Sequence, residues 1–253
     1  MRVFALSDVH VDYEGNARWL AGLSSEDYRQ DLLLLAGDLT DDLSLLAWAF
    51  ELLATRFREL IFVPGNHELW AIRNAGIHSS LEKYRRVRSL AIECGVAVEP
   101  RSYGPLSIVP LLGWYDYSFG ELTPELAQGW MDFRACVWPE GFTDAEAASF
   151  FASLNEQALT IRNEIVISLS HFVPRIDVMP LLTPQYGRIL YPVLGTALLE
   201  EQIRRLRPST HVYGHSHVNR RRTIDGICYL NNAFGYPYEK GFARKQLQCI
   251  LEI

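Results

Sequence analysis

Five short apolar runs in this chain each end in a ligand-type side chain, and that recurrence restricts the fold more than any other feature. The runs lead into Leu6-Ser7-Asp8-Val9-His10, Leu35-Ala36-Gly37-Asp38, Phe62-Val63-Pro64-Gly65-Asn66-His67-Glu68, Ser168-Leu169-Ser170-His171 and Val212-Tyr213-Gly214-His215-Ser216-His217. An apolar run without alternation reads as a strand buried on both faces. Side chains i and i+2 of an extended chain point the same way. Asp8 with His10, and His215 with His217, are therefore expected to present two ligands each on one side of a strand end. A lone Gly-Asp or Asp-X-His is a weak signal, because Asp and Asn also serve as turn and cap residues. The ordered set carries the weight: five of the seven histidines fall inside these motifs, which leaves His78 and His211 as structural side chains.

The spacing adds a topology. Asp8, Asp38 and Asn66 are separated by 30 and 28 residues, close to one βαβ unit each. Strands are expected at 2–6, 31–36 and 61–63, with helices near 19–23 and over 43–57, where Leu43, Leu46, Ala47, Phe50, Leu53 and Phe57 share a face. This order implies a parallel sheet with right-handed crossovers, whose ligands sit beyond the carboxyl ends of the strands. Residues 78–93 read as a basic amphipathic helix with Lys83, Arg85, Arg86 and Arg88 on a solvated face. A strand at 107–112 leads into an irregular, aromatic-rich segment over 120–142, read either as a lid packing on itself or as a substrate contact. Thr143 and Glu146 form a capping box for a helix to about 161. Strand 165–169 then reaches His171. A Pro- and Gly-rich stretch over 172–196 is expected as a second loop over the site. Helix 196–206, strand 210–213 and antiparallel strands at 221–229 and 246–253 complete the chain.

A chain of 253 residues with 49% hydrophobic side chains can bury a large core, and a single domain over 1–253 is expected. A net charge of −6 argues against nucleic acid as a broad partner, while a small anionic substrate remains compatible because bound cations would dominate the local field. Cys94, Cys136, Cys228 and Cys249 lack ligand spacing and read as reduced thiols of a cytoplasmic protein. No segment has the length of a membrane span, and the first strand runs directly into Asp8 without a signal-peptide pattern. Composition leaves the oligomeric state open.

Taken in order, Asp8-X-His10, Gly37-Asp38, Gly65-Asn66-His67-Glu68, His171 and Gly214-His215-X-His217 resemble the signature of the calcineurin-like metallophosphoesterases. The resemblance implies an α/β fold, a four-layer α/β/β/α sandwich of two mixed sheets flanked by helices. It also implies a dinuclear metal centre. One ion would be held by Asp8, His10 and His217, the other by Asn66, His171 and His215, with Asp38 bridging. His nitrogen mixed with hard oxygen suits manganese, iron, zinc or cobalt. Two such ions neutralise phosphate charge and supply hydroxide near neutral pH, so a bridging hydroxide would attack phosphorus in line. His67 would protonate the leaving oxygen, and the family pattern places Asp41 where a carboxylate holds that ring and raises its pKa.

The chain departs from the protein-phosphatase branch at two places. That branch has an Arg where Asp42 stands here, and another soon after the Gly-Asn-His-Glu motif, where this chain reads Leu69-Trp70-Ala71. A dianionic monoester thereby loses its planar clamps. The expected activity is hydrolysis of a phosphodiester or a small phosphorylated metabolite, with Trp114, Tyr115 and Tyr236 as walls of the substrate pocket. A nuclease acting on nucleic-acid ends, and a non-catalytic metal-binding scaffold, are the alternatives.

Overall fold

A computed structural model gives the fold and describes residues 1–181, 185–239, 241 and 243–253, with residues 185 and 186 described by backbone alone. The first sheet contains β1 (Arg2–Leu6), β2 (Leu32–Ala36) and β3 (Glu59–Val63) in parallel, with β10 (Gln248–Glu252) antiparallel against β1. The second sheet has the order β4-β5-β6-β7-β9-β8. In it β5 (Leu106–Pro110), β6 (Ile165–Leu169), β7 (Thr210–Tyr213) and β9 (Ile227–Asn231) are parallel. The edge strands β4 (Arg101–Tyr103) and β8 (Arg220–Ile224) run antiparallel to their neighbours.

Strand alternation sorts the apolar side chains into three layers. Val3, Ala5, Leu32, Leu34, Ile61 and Val63 face Ile108, Ile167, Leu169, Val212 and Leu230 between the sheets. Phe4, Leu6, Leu33, Leu35, Leu60 and Phe62 point outward, where the helices Glu14–Ala21, Leu43–Ala54 and Ser80–Glu93 cover them. On the other flank Val109, Val166, Tyr213 and Tyr229 pack under the helices Asp144–Leu154 and Ala197–Leu206. The result is the expected four-layer α/β/β/α sandwich of two mixed sheets. Because β1, β2 and β3 are buried on both faces, their sequences carry no polar alternation.

Registry places the site. Leu6 pairs with Leu35 and Leu35 with Phe62, so the chain segments that leave these three strands emerge side by side. Leu169 pairs with Val212, and Tyr213 with Asn231, at the same end of the second sheet.

Several local expectations need correction. The first crossover helix is Glu14–Ala21, with Leu20 as its apolar anchor. The helix opened by the Thr143–Glu146 capping box stops at Leu154, where Asn155 turns its side chain to Leu112 and Gln202. The segment 221–229 is a hairpin: Asp225 and Gly226, with φ of 49° and 84°, form its turn. Asp-Gly is a strong two-residue hairpin signal, hidden here by arginine-rich β8. Lys83 is fully buried, and its Nζ donates to the Asp41 carbonyl at 2.6 Å. The stretch 172–196 holds short helices Gln185–Arg188 and Tyr191–Leu194, and its residues 182–184 lie outside the described residues. His211 is a core histidine as expected, with Ser168 and Ser170 on its two ring nitrogens.

Candidate metal centre

The loops that leave the strands are tied to one another before any side chain contributes. Asp8 N donates to Gly37 O at 2.9 Å, His10 N to Asp38 O at 3.0 Å and Gly214 N to His171 O at 2.8 Å. Paired side chains share a side for a different reason from the one expected. Asp8, His10, Asp38, His215 and His217 all have φ between 47° and 65°. Left-handed backbone at a non-glycine residue costs of order 1–3 kcal/mol and persists only where the surroundings over-determine it. Here Glu68 supplies part of that constraint. Its buried carboxylate accepts the N–H groups of Asp38, Leu39, Thr40 and Gly65 at 2.6–3.2 Å, pinning the second and third loops together. Gly65 is required for close approach, since a Cβ there would lie 2.1 Å from Asp38 Oδ1.

All seven expected ligand residues converge and are buried. Asp8, His10, Asp38 and His217 have donor atoms within 4.8 Å of one another, as do Asp38, His171 and His215, so Asp38 belongs to both groups. Asn66 Oδ1 lies 3.1 Å from His171 Nε2. The ring nitrogens approach closely: His171 Nε2 to His215 Nδ1 is 3.0 Å, and His10 Nε2 to His217 Nε2 is 3.2 Å.

The outward ring nitrogens decide what those contacts are. His171 Nδ1 lies 2.8 Å from Ala36 O and His215 Nε2 lies 3.0 Å from Val193 O. A carbonyl only accepts, so each of these nitrogens carries the proton, and the lone pairs of His171 Nε2 and His215 Nδ1 face each other. His217 Nδ1 is similarly anchored on Glu239 Oε2 at 2.6 Å, leaving Nε2 toward Asp8 Oδ1 at 3.3 Å. Converging lone pairs with anchored outer nitrogens fit a cation site whose ligand rings are set in advance. Asn66 is fixed in the same manner: its Nδ2 donates to Asp132 Oδ1 at 2.8 Å, turning its Oδ1 inward.

Electrostatics agree. Burial, with Glu68 and Asp8 nearby, pushes the Asp38 carboxyl well above the usual carboxylate range. Burial opposes charge on Asp8 too, but His217, His171 and His10 outweigh it and hold Asp8 low. Burial also opposes charge on His217, yet Asp8 and Glu239 raise it to about 9. Two carboxylates in one dry site need positive charge between them, and protons compete with metal for that position.

His67 sits beside this cluster, with Nε2 at 3.9 Å from Asp38 Oδ2 and its N–H donating to Asp38 Oδ1 at 3.1 Å. Its expected partner is absent: Asp41 faces Arg73 at 3.7 Å, and no hydrogen bond or ion pair among the described residues joins it to His67. The ring of Trp70 stacks on His67 instead, at 3.8 Å. Burial and the nearby His171 and His217 press the His67 pKa down to about 3, the direction opposite to that expected. Asp42 is the N-cap of its helix, accepting Ser44 N and Leu45 N at 2.8 and 2.9 Å.

Trp114 and Tyr115 are both 0% exposed and belong to the core under the site, where Trp114 Nε1 donates to Asp144 at 2.8 Å; they cannot wall a pocket. Tyr236 stays beside the centre, stacked on His10 at 4.4 Å. Trp70 was not assigned to the site from sequence, and Trp130, from the aromatic segment 120–142 read as a lid or a substrate contact, lies edge-on to His215 at 5.9 Å. Asp132 Oδ1 and Oδ2 accept their indole N–H groups, each at 2.7 Å. Glu68 was visible inside its motif, and Asp132 lay among aromatics, but nothing near Glu239 in the sequence marks it.

Among the described residues no helix is long and apolar enough to cross a membrane. The family model of the calcineurin-like phosphoesterases matches residues 1–219. The chain is 29% identical over 268 residues to the [acyl-carrier-protein] phosphodiesterase PptH of Mycobacterium tuberculosis, across 94% of this chain and 78% of that one. The crystal structure of phosphopantetheinyl hydrolase (PptH) from Mycobacterium tuberculosis superposes with a TM-score of 0.78 at 24% identity, covering 99% of this chain and 95% of that chain. Since the family match runs through every motif from Asp8 to His217, the chain belongs to the calcineurin-like phosphoesterases and is a metal-dependent hydrolase of phosphoric esters.

Proposed function

We propose that this hydrolase acts on a phosphodiester, and that the ester is the one joining a phosphopantetheinyl group to a carrier protein. The observation that carries the diester reading is the lack of a cationic clamp: among the described residues no Arg or Lys makes an ion pair or hydrogen bond with the seven converging side chains, and Trp70, Trp130 and Tyr236 stand around them. A monoanionic diester needs less compensation than a dianionic monoester. The carrier-protein ester is supported by the likeness to PptH.

In this reading Asp8, His10 and His217 would hold one divalent ion and Asn66, His171 and His215 the other, with Asp38 common to both groups. Manganese, iron, zinc or cobalt would suit this donor set, and such ions would supply Lewis acidity and an activated water. Asp132 keeps the Asn66 oxygen turned inward, Glu239 keeps the His217 lone pair inward, and the buried surround excludes bulk water. His67, held by Trp70 and the Asp38 carboxylate, gives its ring proton to the leaving oxygen. Burial lowers the His67 pKa, and the negative charge of a bound phosphoester would favour the protonated ring. The residues of one site come from Asp8 near one end and Tyr236 near the other, which supports 1–253 as a single working domain. The four cysteines are free, which supports a reducing, cytoplasmic setting.

The test offers the full chain, reconstituted separately with manganese, zinc and iron, a holo-carrier protein, an aryl phosphodiester, an aryl phosphomonoester and a single-stranded oligonucleotide. Mass spectrometry of the carrier and release of the aryl alcohol report turnover. Loss of phosphopantetheine and preference for the diester are expected. A preference for the monoester with the carrier untouched refutes the proposal; cleavage of single-stranded nucleic-acid ends instead would establish a nuclease.

A further inference from the structure

A cleft of about 240 Å³, lined by Asn219, Arg220, Arg221, Asn231, Arg244 and Gln248, opens at the end of the sandwich that carries the candidate centre. Its position follows from registry. Arg220 pairs with Asn231 at the end of β9, and Asn231 in turn with Tyr213, two residues before His215. Gln248 pairs with Ala5 of β1. The cleft therefore lies between β8 and β10, one edge strand from each sheet, at the end of the sandwich that carries the centre. Asn219 is two residues beyond His217.

Among the described residues no acidic side chain lines the cleft, although the chain carries a net charge of −6. Several arginines elsewhere are paired within the chain. In the other arginine-lined hollow, Arg204 pairs with Glu200 and Asp225, Arg205 with Glu156, and Arg162 donates to backbone carbonyls. By contrast, among the described residues the guanidinium groups of Arg220, Arg221 and Arg244 make no ion pair or hydrogen bond. Arg220 Nη1 is also buried without an acceptor, as is Asn219 Oδ1 without a donor. A buried charged donor with nothing to bond is costly, and planar guanidinium forks match tetrahedral and carboxylate oxyanions.

We propose that this cleft is an anion subsite, taking a phosphate or carboxylate group that the substrate carries away from its scissile ester. The existence of the site is independent of the phosphodiesterase reading; only the substrate as source of the anion rests on it.

Metal-free full-length protein, in which cations of the centre cannot bind the probe, is titrated calorimetrically with inorganic phosphate. One binding event is expected, weakened about tenfold or more in Arg220→Met and in Arg244→Met, a change of about 1.4 kcal/mol for each tenfold. Metal stoichiometry after reconstitution is expected to stay at the wild-type value in both. Arg244 is exposed, so Arg244→Met keeps the test open if Arg220→Met does not fold. Absence of phosphate binding, or equal affinity in wild type and Arg244→Met, overturns the site. The source of the anion is read from KM for an aryl phosphodiester bearing a second phosphate, divided by KM for the plain aryl phosphodiester. A tenfold rise of this ratio in Arg244→Met assigns the subsite to the substrate. An unchanged ratio with phosphate binding lost overturns that assignment and leaves a site for the free ion. Phosphate binding without turnover of either diester would retain the subsite and reject the phosphodiesterase reading.

Discussion

Replacing Asp132 tests whether the aromatic segment is part of the metal machinery. Asp132 is 2% exposed and accepts three side-chain N–H groups: Asn66 Nδ2 at 2.8 Å and Trp70 Nε1 at 2.7 Å on Oδ1, and Trp130 Nε1 at 2.7 Å on Oδ2. In Asp132→Asn the best orientation keeps Oδ1 in place and turns the amide N–H₂ toward Trp130. One charge-assisted hydrogen bond is then lost, worth roughly 1.5–3 kcal/mol. Burial already pushes the Asp132 carboxyl up to about 6 against the hydrogen bonds that favour its charge, and a neutral amide removes that burden. The net destabilisation is therefore about 1–2 kcal/mol. Asp132→Ala orphans all three donors at about 1–3 kcal/mol each, and water entering the vacated volume holds the total near 3–5 kcal/mol. More telling, it frees the Asn66 amide to rotate, so an N–H₂ can face the centre where an oxygen is needed. Outer-shell partners of metal ligands contribute about 10–100-fold in affinity, so this range is expected for Asp132→Ala and a smaller loss for Asp132→Asn. Denaturant unfolding gives the first quantity and chelator competition the second. Metal affinity within twofold of wild type in a folded Asp132→Ala protein would refute the argument.

Three further outcomes are expected. Gly65→Ala places a Cβ 2.1 Å from Asp38 Oδ1, so it should displace that carboxylate and cost metal at both groups; elemental analysis showing full occupancy would contradict this. His67→Ala should retain both metals while losing roughly 10²–10⁴-fold in turnover of a poor leaving group, and full activity there would remove His67 from the chemistry. Burial depresses His211 to about 3. Above pH 6.5 it is neutral both folded and unfolded; below that only the unfolded chain takes the proton, so stability falls with pH through the window from 6.5 down to 3. Urea unfolding at pH 7 and pH 5 should show wild type losing about 2 kcal/mol more than His211→Gln, and equal losses would show that His211 is protonated in the fold.

The sequence by itself marked the parallel strands that lead into the five motifs, and the seven motif side chains that converge at their ends. Strands buried on both faces are spelled as unbroken apolar runs, and a βαβ repeat returns each strand end to the same place. It also marked His211 as a core or edge histidine, because it lies on the apolar strand that leads to Gly214.

What only the tertiary structure decided depends on contacts distant in the chain. Asn66 meets Asp132 across 66 residues, His171 meets the Ala36 carbonyl across 135, and His217 meets Glu239 across 22. No local period encodes such pairs. Left-handed backbone at Asp8, His10, Asp38, His215 and His217 was hidden for the same reason, since these side-chain types carry no dihedral signature strong enough to announce it. Exposure was decided globally as well. Trp114 and Tyr115 follow a strand and looked like a pocket wall, but the covering helix Asp144–Leu154 and segment around Phe172 bury them. Trp70 and Trp130, from separate loops, meet over one carboxylate at the mouth. Asp41 has the family's spacing and not its partner: its carboxylate faces Arg73, and the Trp70 ring stacks on His67. Composition predicts how much a chain buries, and packing chooses which side chains remain at the site.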